Sequence, residues 1–517
     1  MSAAAWRARG ARAVLGAGAA SGLLFWASIP RAEVAALAWV FLVPLLLLLP
    51  RATPNQLFWA GLVAGVVAAT GRTYWIAQTL QLYGHVPLPL ALLTNLLLIA
   101  YLGLYWAFFL PLCRYLGFPS LGFPWAAASL WAVLEWGQTW LLSGFPWELV
   151  GYSQYRQLAL LQVASLTGVH GLSFLVVLAN GALAQGLAPG WRGSARLGQA
   201  ALPALLLAAA VLWGGRRLAE VEAPAEPPLR VGIVQGNVPQ DVKWRQAGRE
   251  GTTRHYLELT RTLREPGLDL VVFPETALPY FLADESNAAL RAQVANLARE
   301  LGAPILVGSL GGSWDEGIYN RAFLVDADGA LGGHADKAHL VPFGEYLPFP
   351  WIFGYLGGLT AESGAFAAGG DHRAIPLGRG GPDLGVFICY ESIFPEITRR
   401  LATSGASVLV NTTNDAWFGR TAAPYQHLSM AAVRAAEVGR PVVRAANTGI
   451  SGLIAASGRI LATTQLEQTV ALVVHPSPRR QSTAYTRHGD WLVFCCTLVL
   501  LGHVVARALA GHRPAGG

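Results

Sequence analysis

The chain up to residue 214 is a series of apolar stretches separated by short polar loops. A helix that crosses a bilayer needs ~20 predominantly apolar residues. Seven stretches of about that length precede residue 215, and an eighth lies near the C-terminus. The pattern predicts a bundle of eight transmembrane helices, of which the third and sixth are long enough to be tilted or broken. The stretches lie near 12–30, 34–50, 56–80, 86–112, 121–144, 158–188, 197–214 and 491–509.

A different pattern begins after a charged, proline-rich linker at 219–228. Short runs rich in Val, Ile and Leu alternate there with segments of helical spacing, which is typical of an α/β domain. The predicted strands lie at 229–235, 268–273, 304–307, 320–325, 384–388, 407–411, 442–446 and 450–455. The predicted helices lie at 246–265, 286–302, 392–404 and 422–439.

The arginines near the ends of the apolar stretches are unevenly distributed. Arg7, Arg9 and Arg12 precede the first stretch, and most of the others fall on the same predicted side of the membrane. The positive-inside rule then places the N-terminus in the cytoplasm, and seven crossings place the α/β domain outside it. We expect a transmembrane domain at 1–218, an extracytoplasmic α/β domain at 219–480, and a C-terminal transmembrane helix with a short cytoplasmic tail at 481–517.

Composition agrees with a membrane protein, because 53% of the residues are hydrophobic, 13% are charged and the mean hydropathy is +0.41. The formal net charge is +7, yet the arginines are scattered rather than striped, so we expect no nucleic-acid partner. Lysine is rare: Lys243 and Lys337 are the two in the chain. Arg72 lies within the third apolar stretch, where a charge is costly unless it faces protein or water.

Cysteine usage singles out one thiol. Cys113, Cys495 and Cys496 lie in or beside apolar stretches, which leaves Cys389 alone in the α/β region. The spacing of Cys and His residues fits no metal site, and we expect none. Cys389 follows the apolar run 384–388 and precedes a predicted helix, so it lies on a strand-to-helix turn of the kind that exposes a nucleophile. The alternative is an inert core cysteine.

Two further residues can cooperate with that thiol. Glu275 stands at the end of a predicted strand, where the alternative role is a helix cap. The alternative for Lys337 is a solvated surface charge, which the rarity of lysine in this chain makes the less favoured one. A carboxylate can take the proton of the Cys389 thiol, while a fixed ammonium can lower its pKa and stabilise an oxyanion.

Glu, Lys and Cys in this order, each beside a strand end, resemble the nitrilase or carbon–nitrogen hydrolase superfamily. The resemblance covers roughly residues 229–475 and rests on the motifs at 273–275, 337–345 and 389–391. It implies an α-β-β-α sandwich.

Seven apolar segments before such a domain and one after it look like the bacterial apolipoprotein N-acyltransferase family. Further matches lie at 145–147, 151–154, 235–237, 244, 342–345 and 411–419. The resemblance implies a multi-pass protein of the bacterial inner membrane that moves an acyl chain from a phospholipid, through a cysteine thioester, to the α-amino group of diacylated apolipoproteins. It implies no cofactor, and we expect a monomer.

The resemblance also implies residue roles. Cys389 would be the nucleophile, Glu275 the general base and Lys337 the stabiliser of the oxyanion. Supporting or substrate-binding roles would fall to Trp244, Glu345, Tyr390 and Glu391. Simple packing is the alternative for Tyr390, and for the 411–419 run we favour a structural role that holds the turn.

An apolar, glycine-rich run at 346–370 contains Trp351 and Phe353. Beside a membrane, such a run is suited to a mobile lid that dips aromatic side chains into the lipid interface. The alternative is a buried loop.

Two other functions remain open at this stage. A membrane-anchored amidase could use the same Glu–Lys–Cys triad to hydrolyse a C–N bond, because water rather than an amine would then resolve the thioester. A transporter with a degenerate sensor domain is the other alternative, and the intact triad counts against it.

Overall fold

The structure is a computed structural model that describes residues 3–120, 122–188, 194–223, 226–244, 246–263, 265–313, 315, 317–348, 351, 366–370, 372–378 and 381–511. The chain forms two compact units. The first comprises Met1–Tyr74, Leu92–Leu218 and His488–Gly517, and the second comprises Trp75–Ala91 and Ala219–Arg487.

The first unit is helical. Within the described residues, three helices are long and apolar enough to cross a membrane: Leu88–Leu116, Val169–Leu187 and Ala201–Glu222. The α-helices that lie wholly or largely in this unit are Ala3–Ser28, Val43–Leu46, Pro54–Thr73, Leu88–Leu116, Phe123–Gln138, Leu158–Leu161, Ala164–Thr167, Val169–Leu187, Ser194–Glu222 and Trp491–Gly511. The predicted third and sixth segments are both interrupted, since a new helix, Trp75–Leu82, follows Thr73 and three helices occupy 158–188.

The predicted segment 34–50 is not one continuous helix. It contains the 3₁₀ helix Ala35–Trp39 and the short α-helix Val43–Leu46. The buried Asn180 side chain compensates for the break, because it accepts a hydrogen bond from the Leu42 N–H (2.8 Å) and donates one to the Ala38 carbonyl (2.9 Å). A broken helix in an apolar setting needs such substitutes for its lost backbone hydrogen bonds.

Arg72 faces protein. Its side chain is buried, its Nη1 donates to the Trp147 carbonyl at 3.4 Å, and the carboxylates of Glu135 and Glu148 interact with it electrostatically. Opposite charges nearby offset the cost of burying a guanidinium.

The second unit contains two six-stranded sheets. The strands are β1 Val231–Gln235, β2 Leu270–Val272, β3 Ile305–Ser313, β4 Gly317–Val325, β5 Leu331–Asp336, β6 Ile375–Pro376, β7 Asp383–Ile388, β8 Val408–Thr413, β9 Val442–Ala446, β10 Gly452–Ile454, β11 Ile460–Thr463 and β12 Val470–Val474. The first sheet has the order β12-β1-β2-β3-β4-β5 and the second β11-β10-β9-β8-β7-β6. Strands β1, β2 and β3 are parallel to one another, as are β7, β8 and β9.

The two sheets pack face to face, with helices on their outer faces. Alternate residues of one strand serve the two cores: Leu270 and Val272 lie in the core shared by both sheets, whereas Val271 lies in the core under the outer helices. Burial on both faces explains why the parallel strands are apolar runs. The helices of this unit are Trp75–Leu82, Gln240–Lys243, Gln246–Thr260, Ala288–Leu301, Pro395–Thr403, Ala423–Val438 and Ala484–His488.

This is the predicted α-β-β-α sandwich. Gln246–Thr260 and Ala288–Leu301 contribute Tyr256 and Val294 to the core outside the first sheet. Pro395–Thr403 and Ala423–Val438 pack on β7 and β9 of the second.

Candidate active site

Three strand ends bring the predicted triad together. Glu275 follows β2 and Lys337 follows β5, both in the first sheet, while Cys389 follows β7 in the second. All three side chains are buried within the second unit and interact with one another. The site therefore lies where the ends of the two facing sheets meet.

Cys389 lies on the predicted strand-to-helix turn. Strand β7 ends at Ile388, and the 3₁₀ helix Cys389–Ile393 begins at the next residue. Cys389 has a φ of 51°, in the left-handed region that a residue with a Cβ adopts at a cost. Such strain persists only where the surrounding structure holds it, and it is typical of functional turns.

Lys337 lies between two carboxylates. Its Nζ donates to Oε1 of Glu275 at 3.2 Å and to Oε1 of Glu345 at 2.8 Å. The Asn320 amide donates to the same two oxygens, at 2.7 and 3.2 Å. Burial alone would lower the pKa of Lys337, but the attraction of Glu275 and Glu345 outweighs it and raises the pKa well above its usual value. The ammonium is therefore permanently charged at neutral pH, and Lys337 is not a solvated surface charge.

One carboxylate oxygen of Glu275 is available to the Cys389 thiol. Its Oε2 is buried and accepts no hydrogen bond from a nitrogen or oxygen atom of the described residues, whereas the Cys389 thiol interacts with the carboxylate. Burial would raise the pKa of Glu275, but Lys337, Asn320 and Lys243 together lower it. The carboxylate is ionised and has a free acceptor for the thiol proton.

The thiol is protonated at rest. Burial raises the pKa of Cys389 strongly, the negative charge of Glu275 adds to this, and the opposing effect of Lys337 is smaller. Lys337 thus lowers the pKa of the Cys389 thiol, as the sequence predicted, but burial and Glu275 outweigh its effect. Since the thiolate is the nucleophile, it must form during the reaction by proton transfer to a base.

Glu391 joins the two loops that carry Lys337 and Cys389. Its Oε1 accepts hydrogen bonds from the backbone N–H groups of Ala338 (2.8 Å) and His339 (3.1 Å) and pairs with His372 Nε2 (3.0 Å). Its Oε2 accepts from the Ile388 N–H at 2.7 Å, one residue before the thiol. Burial would raise the pKa of Glu391, but His372 and the backbone donors lower it.

Tyr390 is buried beside two aromatic rings. Its ring centroid lies 5.3 Å from that of Phe394 and 5.9 Å from that of His339. These contacts agree with the packing role that the sequence left open.

A buried polar cluster behind the nucleophile was not predicted as part of the site. His427 Nε2 lies 3.0 Å from the Cys389 carbonyl, and His427 Nδ1 lies 3.0 Å from Asp415 Oδ1. Arg444 donates to Asp415 Oδ2 at 2.7 Å and also contacts Asn411. Burial and Arg444 lower the pKa of His427, so the ring is neutral at neutral pH. Through these contacts the 411–419 run supports the turn that carries Cys389.

The remaining predicted residues lie away from these contacts or outside the described residues. Trp244 is exposed and directly follows the helix Gln240–Lys243. Trp351 is 74% exposed. Phe353 and most of the predicted lid lie outside the described residues.

Comparisons with known proteins place this chain within a family. A model described as the apolipoprotein N-acyltransferase N-terminal domain matches residues 21–182, and a carbon-nitrogen hydrolase model matches residues 230–485. The apolipoprotein N-acyltransferase of Geobacter metallireducens is 38% identical over 504 residues, 95% of this chain and 94% of that protein. That of Methylococcus capsulatus is 35% identical over 470 residues, 88% of this chain and 89% of that protein. A carbon-nitrogen hydrolase from Helicobacter pylori G27 superposes with a TM-score of 0.38 at 16% identity, covering 48% of this chain and 89% of that one.

Proposed function

This chain belongs to the apolipoprotein N-acyltransferase family, and from that membership and the geometry of the site we propose that it N-acylates lipoproteins. The acyl donor is a membrane phospholipid, and the acceptor is the α-amino group of the diacylglyceryl cysteine at the N-terminus of an apolipoprotein. The observation that carries the proposal is the buried Glu275–Lys337–Cys389 set, in which an ionised carboxylate, a fixed ammonium and a protonated thiol meet.

The first half-reaction makes a thioester. Glu275 takes the proton of the Cys389 thiol, and the thiolate attacks the ester carbonyl carbon of the phospholipid. Negative charge develops on the carbonyl oxygen, where the Lys337 ammonium stabilises it. The C–O bond of the ester then breaks, and the lysophospholipid leaves with the proton held by Glu275.

The second half-reaction transfers the acyl group. The α-amine of the acceptor attacks the thioester carbon, Glu275 accepts a proton from the amine, and the C–S bond breaks. An amide forms and the thiol regains its proton. Lys337, held by two carboxylates, stabilises the oxyanion in both steps without changing its own charge.

We further propose that eight crossings anchor the chain in the bacterial inner membrane, with the second unit on the periplasmic side. The arginine distribution and the odd number of apolar stretches before residue 215 support this topology. A map of single cysteines with a membrane-impermeant thiol reagent tests it. Labelling near residue 250 only after the inner membrane is opened would contradict it.

Acyl transfer is favoured over the amidase alternative because residues 21–182 match the N-terminal domain model of the acyltransferase family. The test incubates the purified protein in bilayer nanodiscs with a phospholipid labelled in its acyl chain and a synthetic diacylated lipopeptide. We expect a labelled triacylated lipopeptide, and none from Cys389→Ala. Release of labelled free fatty acid without triacylated product would show that water resolves the thioester.

A further inference from the structure

Both lysines of the chain, Lys243 and Lys337, contact Glu275. Lys337 binds its carboxylate, whereas Lys243 binds its backbone. Lys243 closes the short helix Gln240–Lys243 and is 1% exposed. Its Nζ donates to the Glu275 carbonyl at 3.0 Å and to Thr276 Oγ1 at 2.5 Å.

The turn that Lys243 binds is strained. Thr276 has a φ of 44°, which is unfavourable for a β-branched residue. The backbone of β3 also approaches this turn so closely that a Cβ at Gly308 would lie 2.1 Å from the Pro274 carbonyl oxygen and 2.6 Å from the Thr276 nitrogen. Both a close-packed glycine and a buried amine therefore contact the turn. Strain of this kind needs such support.

We propose that Lys243 is a positioning residue that holds the Glu275–Thr276 turn so that the Glu275 carboxylate faces the Cys389 thiol. The inference rests on the role of Glu275 in the proposed function. A base must lie within hydrogen-bond reach of the proton it takes, and its side-chain direction is set by its backbone. Lys243 fixes that backbone at the carbonyl of the same residue.

The two contacts do not depend on the charge of Lys243. Burial lowers the pKa of Lys243 to about 7, although the electrostatic effects of Glu275 and Cys389 act in the opposite direction and raise it. An ammonium has three N–H donors and a neutral amine has two, so either form can donate to the carbonyl and the hydroxyl. The support of the turn is thus retained on both sides of neutral pH.

The test follows the alkylation of Cys389 by iodoacetamide, with the Cys389 peptide quantified by mass spectrometry on the full chain in nanodiscs. This reaction needs the thiolate but no lipid, so its outcome is separate from that of the acyl-transfer assay. Lys243→Met keeps the length of the side chain and removes both hydrogen bonds. Thr260→Val is the matched control, because it removes one buried hydrogen bond, from Thr260 Oγ1 to the Tyr256 carbonyl, away from the site.

We expect Lys243→Met to slow alkylation about 10- to 100-fold, the scale on which small displacements of a catalytic group act. Thr260→Val should alkylate at the wild-type rate. In a Glu275→Gln background, Lys243→Met should slow alkylation by less than about 2-fold, because its effect passes through Glu275. An equal slowing in both backgrounds, or none in the first, overturns the proposal.

A second measurement covers the case in which Lys243→Met does not fold. Lysine-selective ¹³C labelling gives two side-chain signals in this chain. Thr276→Val should shift the signal of Lys243 and leave that of Lys337 in place, while slowing Cys389 alkylation. The proposal would also be overturned if Thr276→Val left the Lys243 signal unshifted, or if it left the rate of Cys389 alkylation unchanged.

Discussion

Glu391 carries four hydrogen bonds that join the Lys337 and Cys389 loops, and Glu391→Gln should break this link. An amide has one acceptor oxygen. If that oxygen faces Ala338, His339 and His372, the amide NH₂ points at the Ile388 N–H and leaves that donor unsatisfied. This costs about 2 kcal/mol, and the loss of charge from the other three bonds costs about 0.5–1 kcal/mol each, which gives about 3.5–5 kcal/mol in total.

A loss of that size should lower the thermal midpoint by about 10 °C for a domain of this length. The assay is thermal unfolding in nanodiscs, followed by acyl-enzyme formation at a temperature where both proteins are folded. Glu396→Gln is the matched control: Glu396 pairs with Arg399 and Arg400 in a partly exposed position, where a pair contributes about 0–1 kcal/mol. Glu391→Gln should also be slower at acyl-enzyme formation, because the Ile388 N–H is one residue from the nucleophile.

The pH dependence gives a second check. The pKa of Glu391 is lowered in the folded state, so its stabilising contribution is complete above the ordinary carboxyl value and is lost as pH falls through the lower folded value. The difference in midpoint between wild type and Glu391→Gln should therefore be constant near pH 7 and shrink below about pH 4. A difference that is small at pH 7, or that grows in acid, would refute the reasoning.

Three further predictions concern the chemistry and the lid. Cys389→Ser should melt like the wild type yet form no acyl-enzyme, because a hydroxyl is a far weaker nucleophile than a thiolate; substantial transfer by this variant would rule out the thioester. Lys337→Arg should be inactive in the triacylation assay, since the longer planar guanidinium does not fit between Glu275 and Glu345, and near-normal turnover would remove Lys337 from the mechanism. Trp351→Ser with Phe353→Ser should slow acyl-enzyme formation from a long-chain phospholipid but largely spare a short-chain soluble ester, since each lost side chain contributes roughly 1.5–3 kcal/mol if fully buried. Equal losses with both donors would exclude a lid that governs lipid access.

The sequence predicted the central strands well because they are buried on both faces. All eight predicted strands and all four predicted helices of the second unit are present, with ends displaced by a few residues. Four strands were missed, β5, β6, β11 and β12, although β12 is an apolar run. β5 and β6 lack the apolar signal, because β5 has exposed glycines and β6 is two residues long. β5 is a strand because it pairs with β4, and β6 because it pairs with β7. A local sequence pattern does not show such pairing.

The triad could be predicted because each member follows a recognisable strand or motif, whereas its electrostatics could not. The net upward shift of the Cys389 pKa depends on burial, which no spacing shows. His427 and Arg444 were missed because both lie far along the chain from Cys389. The 411–419 run was the available signal, because its Asp415 contacts both His427 and Arg444.

The pairing of β1 with β12 has a consequence for the order of biosynthesis. Val231 pairs with Val474, so the first sheet cannot be completed until the last strand of the domain has been made. Glu275 and Lys337 belong to that sheet and Cys389 to the other, and the three meet only when the sheets dock. A growing chain released before β12 is made therefore contains Glu275, Lys337 and Cys389, but not the complete sheet that positions the first two. Because loop closure over such separations is slow, the triad should assemble late, and the change in the rate of Cys389 alkylation during refolding would time the docking of the two sheets.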